Sequence, residues 1–245
     1  MHQFFVMEDA VSKEEITITG SDVNHIKNVL RMRLGEAIRV SDASGASYLC
    51  KIKEIGELFV KAEVTEEVPN TEPPCRLYLF QGLPKGDKME WIIQKAVELG
   101  VSAVIPVSMK NCIVKFDEKK AKAKQKRWQA IAESAAKQSK RSRIPSVMEV
   151  MNYSDAVKFA KEELDVCLVP YENAKGMRAT REAIGALRMG QSVGILIGSE
   201  GGFAPEEIAL AKECEMKIIS LGKRILRTET AGIAALSMLL YQLEE

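Results

Sequence analysis

Histidine is nearly absent. His2 and His25 are the two that 245 residues hold, and both lie far from the glycine-rich C-terminal half. A serine-histidine-aspartate triad, or a zinc site with an imidazole ligand, would have to use one of them, so neither chemistry is expected and no metal is assigned. Cysteine is scarce as well. Cys50, Cys75, Cys112, Cys167 and Cys214 are scattered, odd in number, and contain no CxxC pair. That pattern suits reduced thiols in a cytoplasmic protein rather than a disulfide frame. No apolar run approaches the roughly 20 residues that a membrane span needs. The stretch MHQFFVMEDA lacks a basic n-region followed by an apolar core, so a secretory leader is not expected. Two familiar glycine signatures are also missing. No GxxxxGK[ST] stands in the chain, and Gly198, Gly201 and Gly202 are spaced GxxGG rather than GxGxxG.

Apolar residues are plentiful, at 46%, enough for a sizeable core and against disorder. Within the apolar run GILIGSEGGF (194–203), three glycines, a serine and a glutamate follow a strand-like segment. A tight turn needs less glycine than that. Bare backbone suggests a guest bedded among amides and carbonyls. Glu200 would repel a phosphate there, which points to an uncharged or cationic guest.

The formal net charge of +1 hides an uneven distribution. Residues 119–143 carry ten Lys or Arg and one acid, Glu133, a segment of +9 in a body of −8. Such asymmetry is the footprint of a polyanion partner, although a solvated helix face gives the same composition.

The segment VPNTEPP (68–74) reads as a linker, because proline removes amide donors and extends its predecessor. It divides an N-terminal domain, 1–70, from a C-terminal domain, 71–245. In the first, the runs QFFVM, EITIT, EAIRVSD, SYLCKIKEI and LFVKAEVTEE read as strands. A short helix is expected at 22–30 with Ser21 as N-cap, and the whole suggests a small β-barrel. In the second, strands alternate with helices, which predicts a parallel sheet covered on both faces. RLYLFQG is a strand, and Asp87 caps the helix KMEWIIQKAVEL, closed by Gly100. VSAVIPV, DVCLVP, SVGILIG and MKIISLG are further strands, and a long basic helix spans about 117–139. A ligand site in such a sheet lies beyond the carboxyl ends of its strands. Three loops end there in glycine and exposed backbone: FQGLPKGDK (80–88), LIGSEGGF (196–203) and LGKRILRTET (221–230). VPYEN (169–173) is a fourth.

The combination QGLPKGDKMEWIIQKAVELGV, LIGSEGGF and LGKRILRTETAGIAAL resembles the SPOUT class of methyltransferases. Within that class it is most similar to the 16S ribosomal RNA (uracil-N3) methyltransferases. HIKNVLRMRLGE (25–36) and KQSKRSRIP (137–145) extend the likeness over essentially the whole chain. The resemblance implies an α/β fold, a trefoil-knotted SPOUT domain with a parallel sheet, preceded by a small PUA-like β-barrel domain that binds RNA. It implies a homodimer that uses S-adenosyl-L-methionine (SAM) to methylate N3 of a uridine in 16S rRNA of the small ribosomal subunit. Cofactor contacts carry over to Leu196, Gly198, Glu200, Gly201 and Gly202, and to Ser220, Leu221, Gly222, Ile225, Leu226 and Ala231. Gln81, Gly82 and Leu83 border the pocket, with Pro170 and Tyr171. Arg227 is the candidate for stabilising charge on the uracil carbonyls, and Glu229 or Glu200 for taking the proton. Thr228 also suits an N-cap of the last helix, with Glu229 in its first turn. Lys27, Arg31, Arg33, Lys85, Lys88, Lys137, Lys140, Arg141 and Arg143 are the candidate phosphate contacts. Three departures stand out. Ser199 replaces the family's proline, Gln3 stands where an arginine usually precedes the aromatic pair, and Lys137 stands where a glutamate is common. Two other functions fit the same loops: ribose 2′-O-methylation of RNA, and RNA binding or ribosome assembly without catalysis.

Overall fold

The computed structural model describes residues 1–174 and 176–244. The chain divides into two compact units. One holds residues 1–72 and 136–144, and the other holds 73–135 and 145–245. No helix among the described residues is long and apolar enough to cross a membrane.

The first unit is built from β1 (His2–Val6), β2 (Glu15–Thr19), α1 (Ser21–Asn24), β3 (Ala37–Asp42), β4 (Ser47–Ile55) and β5 (Phe59–Val68). All five strands lie where the alternating runs predict them. The sheet order is β1-β3-β4-β5-β2, with β1 and β3 parallel and the other pairs antiparallel. The edge strands β1 and β2 touch, so the sheet curls towards a barrel. Ile16 and Ile18 of β2, Ile38 and Val40 of β3, and Phe4 of β1 meet inside it. The expected helix is corrected at its start. Ser21 is its first residue, and Gly20, at φ 72, occupies the N-cap without a side-chain bond. The helix then widens into a π turn, His25–Val29.

Residues 136–144 close one side of this unit. Glu72 receives the backbone amides of Ser142 and Arg143 at 2.9 and 3.1 Å, and its carboxylate pairs with Arg141. Gln3 is buried and donates to Ser41 Oγ at 3.2 Å and to the Arg141 carbonyl at 2.5 Å. The glutamine that departs from the family pattern is thus a cross-brace.

The second unit contains β6 (Arg76–Gly82), α2 (Lys88–Glu98), β7 (Ala103–Ser108), α3 (Glu118–Ser139, its last turn assigned to the first unit), β8 (Ser146–Val147), β9 (Met151–Asn152) and α4 (Tyr153–Glu163). It continues with β10 (Val166–Pro170), α5 (Arg178–Gly185), β11 (Ser192–Ile197), α6 (Pro205–Glu213), β12 (Lys217–Ile219) and α7 (Thr228–Leu243). Asp87 sits at the N-cap of α2, but its carboxylate makes no capping bond there. Every pairing in the sheet, ordered β12-β10-β11-β6-β7-β8 with β9 on β7, is parallel. All six residues of β11 are buried. Since successive side chains point to opposite faces, both faces of the sheet are covered there. One helix group places α7 on β6 and β11 with α2 and α5 beside it, and another places α4 on β7 and β10 with α6. The central strands β11, β6 and β10 therefore end together at one edge.

Candidate functional site

At that edge lies a cleft of about 350 Å³. The segments 197–203 after β11 and 220–228 after β12 form two of its walls, and Pro170, Tyr171 and Glu172 after β10 form a third. Gly198 and Gly202 keep the first wall bare. A Cβ on Gly198 would stand 3.2 Å from the Gly202 carbonyl carbon, and Gly202 holds φ +64. The amide of Gly202 bonds the Ser199 carbonyl at 2.9 Å, closing a tight turn. Ser199 needs no proline to hold this turn, because its own Oγ also receives Gly201 N at 3.4 Å. Phe203 is clamped edge-on between Tyr153 and Tyr171, with centroids 6.4 and 6.3 Å away.

Thr228 joins the walls. Its hydroxyl donates to the Gly198 carbonyl at 2.6 Å and accepts from Gln81 Nε2 at 2.8 Å. The expected N-cap role is corrected: Arg227 is the N-cap residue, and Thr228 begins the helix with its side chain turned into the fold. Ser220 is fixed in the same way, its carbonyl accepting from Thr180 Oγ1 at 2.8 Å and its amide donating back at 3.0 Å.

The charges here are arranged around Lys88. Its ammonium lies 3.0 Å from Glu200 and 3.5 Å from Glu229 Oε2. The hydrogen bond to Glu200, chiefly, holds Lys88 above the ordinary lysine range. Partial burial pushes the Glu200 carboxyl up, but Lys88 and the Lys85 amide, 3.1 Å away, outweigh it and hold the group below the usual carboxylate range. Glu229 Oε2 is sealed from solvent and takes no hydrogen bond. Arg227 lines the cleft, and its side chain makes no hydrogen bond or ion pair with the described residues.

Of the expected cofactor residues, Pro170, Tyr171, Gly198, Glu200, Gly202, Ser220, Leu221, Gly222, Ile225, Leu226 and Ala231 line the cleft. Gln81, Gly82, Leu83, Leu196 and Gly201 do not. Leu83 and Leu196 are buried core. Gln81 holds Thr228, and Gly82 and Gly201 clear space for backbone: a Cβ on Gly82 would meet Ser199 N at 2.6 Å, and one on Gly201 the Asn111 carbonyl oxygen at 2.9 Å. Glu172, Ile197, Ser199, Phe203, Lys223, Arg224 and Thr228 line the cleft without having been assigned to it. Each lies within or beside a quoted loop, so the spacing located the loops but not every face of them.

Two expected phosphate contacts are corrected. Arg141 is buried and spent on Glu72, and Lys88 is held by two carboxylates. Lys137 pairs with Asp22 at 3.1 Å, Lys27 donates to the Gly56 carbonyl at 2.9 Å, and Arg143 reaches the Ser44 carbonyl. Arg31, Arg33 and Lys85 are exposed.

Residues 71–240 match the model of an RNA methyltransferase domain, and 18–65 that of an RNA methyltransferase PUA domain. A ribosomal RNA small subunit methyltransferase E of Bacillus subtilis is 39% identical over 251 residues, covering 100% of this chain and 98% of that one. The chain belongs to the ribosomal RNA small subunit methyltransferase E family. The family fold covers the molecule from end to end. A crystal structure of a hypothetical protein superposes with a TM-score of 0.92 at 37% identity, covering 99% of this chain and 98% of the other. The family member from Neisseria gonorrhoeae, solved bound to S-adenosyl methionine, superposes at 0.83 with 31% identity over 98% and 97%. The RNA methyltransferase domain match falls on the α/β parallel-sheet unit, and the PUA domain match on the curled one.

Proposed function

We propose that this chain transfers a methyl group from SAM to N3 of a uridine in 16S rRNA of the small ribosomal subunit. Methylation of ribosomal RNA with SAM as donor is the activity of its family. The carrying observation is the cleft's bare wall: Gly198 and Gly202, backed by Gly82, leave main chain where a flat nucleoside must lie, and no phosphate-binding motif is present. We read the two walls 197–203 and 220–228, joined through Thr228, as the family's knot. Glu200 and Glu172 suit a cationic guest, so the residues fit the donor. Bound there, SAM supplies an electrophilic methyl group.

The rest falls to this chain. Uracil N3 is a poor nucleophile until its proton leaves. Glu200 already accepts from Lys88 and the Lys85 amide, whereas Glu229 Oε2 faces only the Lys88 ammonium, at 3.5 Å, and takes no closer hydrogen bond. Glu229 is therefore the better proton acceptor, directly or through water. Arg227 donates to the carbonyl oxygen that gains charge. A paired uridine must be turned out before N3 is reachable. Lys27, Arg31, Arg33, Lys85, Lys140 and Arg143 supply basic surface for the RNA backbone. A second copy of the chain is the partner we assign to the groove of Ile184, Met238 and the 90% exposed Tyr241. A ribosomal RNA substrate supports a cytoplasmic location.

Mass spectrometry of rRNA from cells lacking the protein tests the reaction. Loss of one N3-methyluridine is expected. Loss of a ribose methyl mark instead favours 2′-O transfer, and an unchanged RNA favours a non-catalytic binder. Arg227→Ala should reduce methyl transfer about 100-fold or more, in the range of lost oxyanion donors, with SAM affinity kept. Wild-type transfer by that variant contradicts the assignment.

A further inference from the structure

We propose that Arg39 and Lys140, in the N-terminal unit, form a site for a single phosphate of the RNA backbone. The proposal rests on the RNA-binding part of the reading above. Arg39 stands on β3 opposite Gln3 of β1. Its Nε and Nη2 are shut off from solvent and have no hydrogen-bond partner. No ion pair reaches it among the described residues. Lys140 belongs to the segment that Gln3 ties down through the Arg141 carbonyl. It takes φ 62, a conformation rare for a side-chain-bearing residue, and Thr71 Oγ1 fixes its carbonyl at 2.9 Å. Its ammonium donates to the Met1 carbonyl at 2.5 Å. Burial, and then the Arg39 charge, push the Lys140 amine below the ordinary lysine range. Gln3 thus links the two segments that carry these cations, β3 by strand pairing and residues 140–141 by its bond to the Arg141 carbonyl.

Three carboxylates of this unit are engaged elsewhere. Glu72 holds Arg141, Asp22 holds Lys137, and Asp42 accepts from Ser44, Gly45 and Ala46. Desolvated like charges without a counter-charge destabilise a fold, and such charges are normally paired. An arriving phosphate would supply the missing pair. The phosphate would meet Arg39 through Nη1, the guanidinium nitrogen that is not sealed, and the Lys140 ammonium adds a point charge.

The test compares wild type with Arg39→Gln, and with Lys140→Gln, on RNA binding from low to moderate salt. Each lost phosphate contact lowers the slope of log K against log salt by about 0.7–0.9. Arg39→Gln is expected to lose that much slope and to bind RNA about tenfold more weakly at low salt, with SAM affinity unchanged. Sulfate at matched ionic strength should raise the melting temperature of wild type more than that of Arg39→Gln, the variant showing only sulfate's general stabilising effect. Removing an uncompensated charge should leave that variant's own melting temperature equal to or above wild type. An unchanged slope in both variants overturns the proposal. A lowered melting temperature in Arg39→Gln with full slope in Lys140→Gln makes Arg39 a structural residue and also overturns it. A sulfate response with an unchanged RNA slope assigns the site to a free anion, against the RNA claim. A wild type that binds RNA with this site intact but does not bind SAM would sink the methyl-transfer reading and leave this one standing.

Discussion

Gly82 shows how much one missing side chain decides. It lies behind the cleft, at the end of β6, and touches no open space. A Cβ there would stand 2.6 Å from Ser199 N and 2.9 Å from the Gly198 carbonyl carbon. Both obstacles are main chain, so the loop itself would have to move. Gly82→Ala should cost about 1–3 kcal/mol in stability, the usual range for overpacking. SAM affinity should fall about tenfold or more, which needs only about 1.4 kcal/mol of displaced loop. Thermal unfolding and a binding titration check the two effects. Cofactor affinity equal to wild type would mean that the bare wall does not need this glycine. The resemblance named Gly82 as a pocket border, but which atoms it makes room for is a fact of tertiary approach that no spacing contains.

Elements were the more legible scale. The five strands of the first unit follow from alternation, as in EITIT, where Ile16 and Ile18 face inwards. The buried runs RLYLFQG and SVGILIG gave adjacent parallel strands, β6 and β11. Helix starts were less legible. Ser21 and Thr228 have the chemistry of N-caps, yet each stands one residue inside its helix. For Thr228 the reason is visible, since its hydroxyl is claimed by Gly198 and Gln81. Thr228→Val would keep the shape and take the hydroxyl from the Gly198 carbonyl and from Gln81 Nε2, which keeps its bond to the Gly82 carbonyl, at about 1–3 kcal/mol for an unsatisfied group. The measurement is denaturant unfolding of wild type and variant. A loss below about half a kcal/mol, within the range of neutral surface changes, would mean that the join between the walls is not stabilising.

For the whole molecule, the uneven charge was visible in the sequence, but its use was not. Part of the basic segment is neutralised within the fold: Lys122 by Glu118, Arg127 by Glu90, Lys137 by Asp22 and Arg141 by Glu72. Spacing cannot show which basic residues have found carboxylates from distant strands and helices. The remaining cations, not the total of ten, carry the RNA reading. Self-association belongs to this scale too. Tyr241→Arg, on the exposed side of α7, should convert a dimer to a monomer, read by light scattering. A variant that stays dimeric would move the interface elsewhere, and a wild-type monomer would remove it.

Isothermal titration calorimetry of the wild-type protein with SAM bears most directly on the cleft. One saturable site per chain is expected, weakened by Gly82→Ala and kept by Arg227→Ala. No measurable heat or saturation with folded wild-type protein, or binding untouched by a blocked loop at 198–202, would contradict the account.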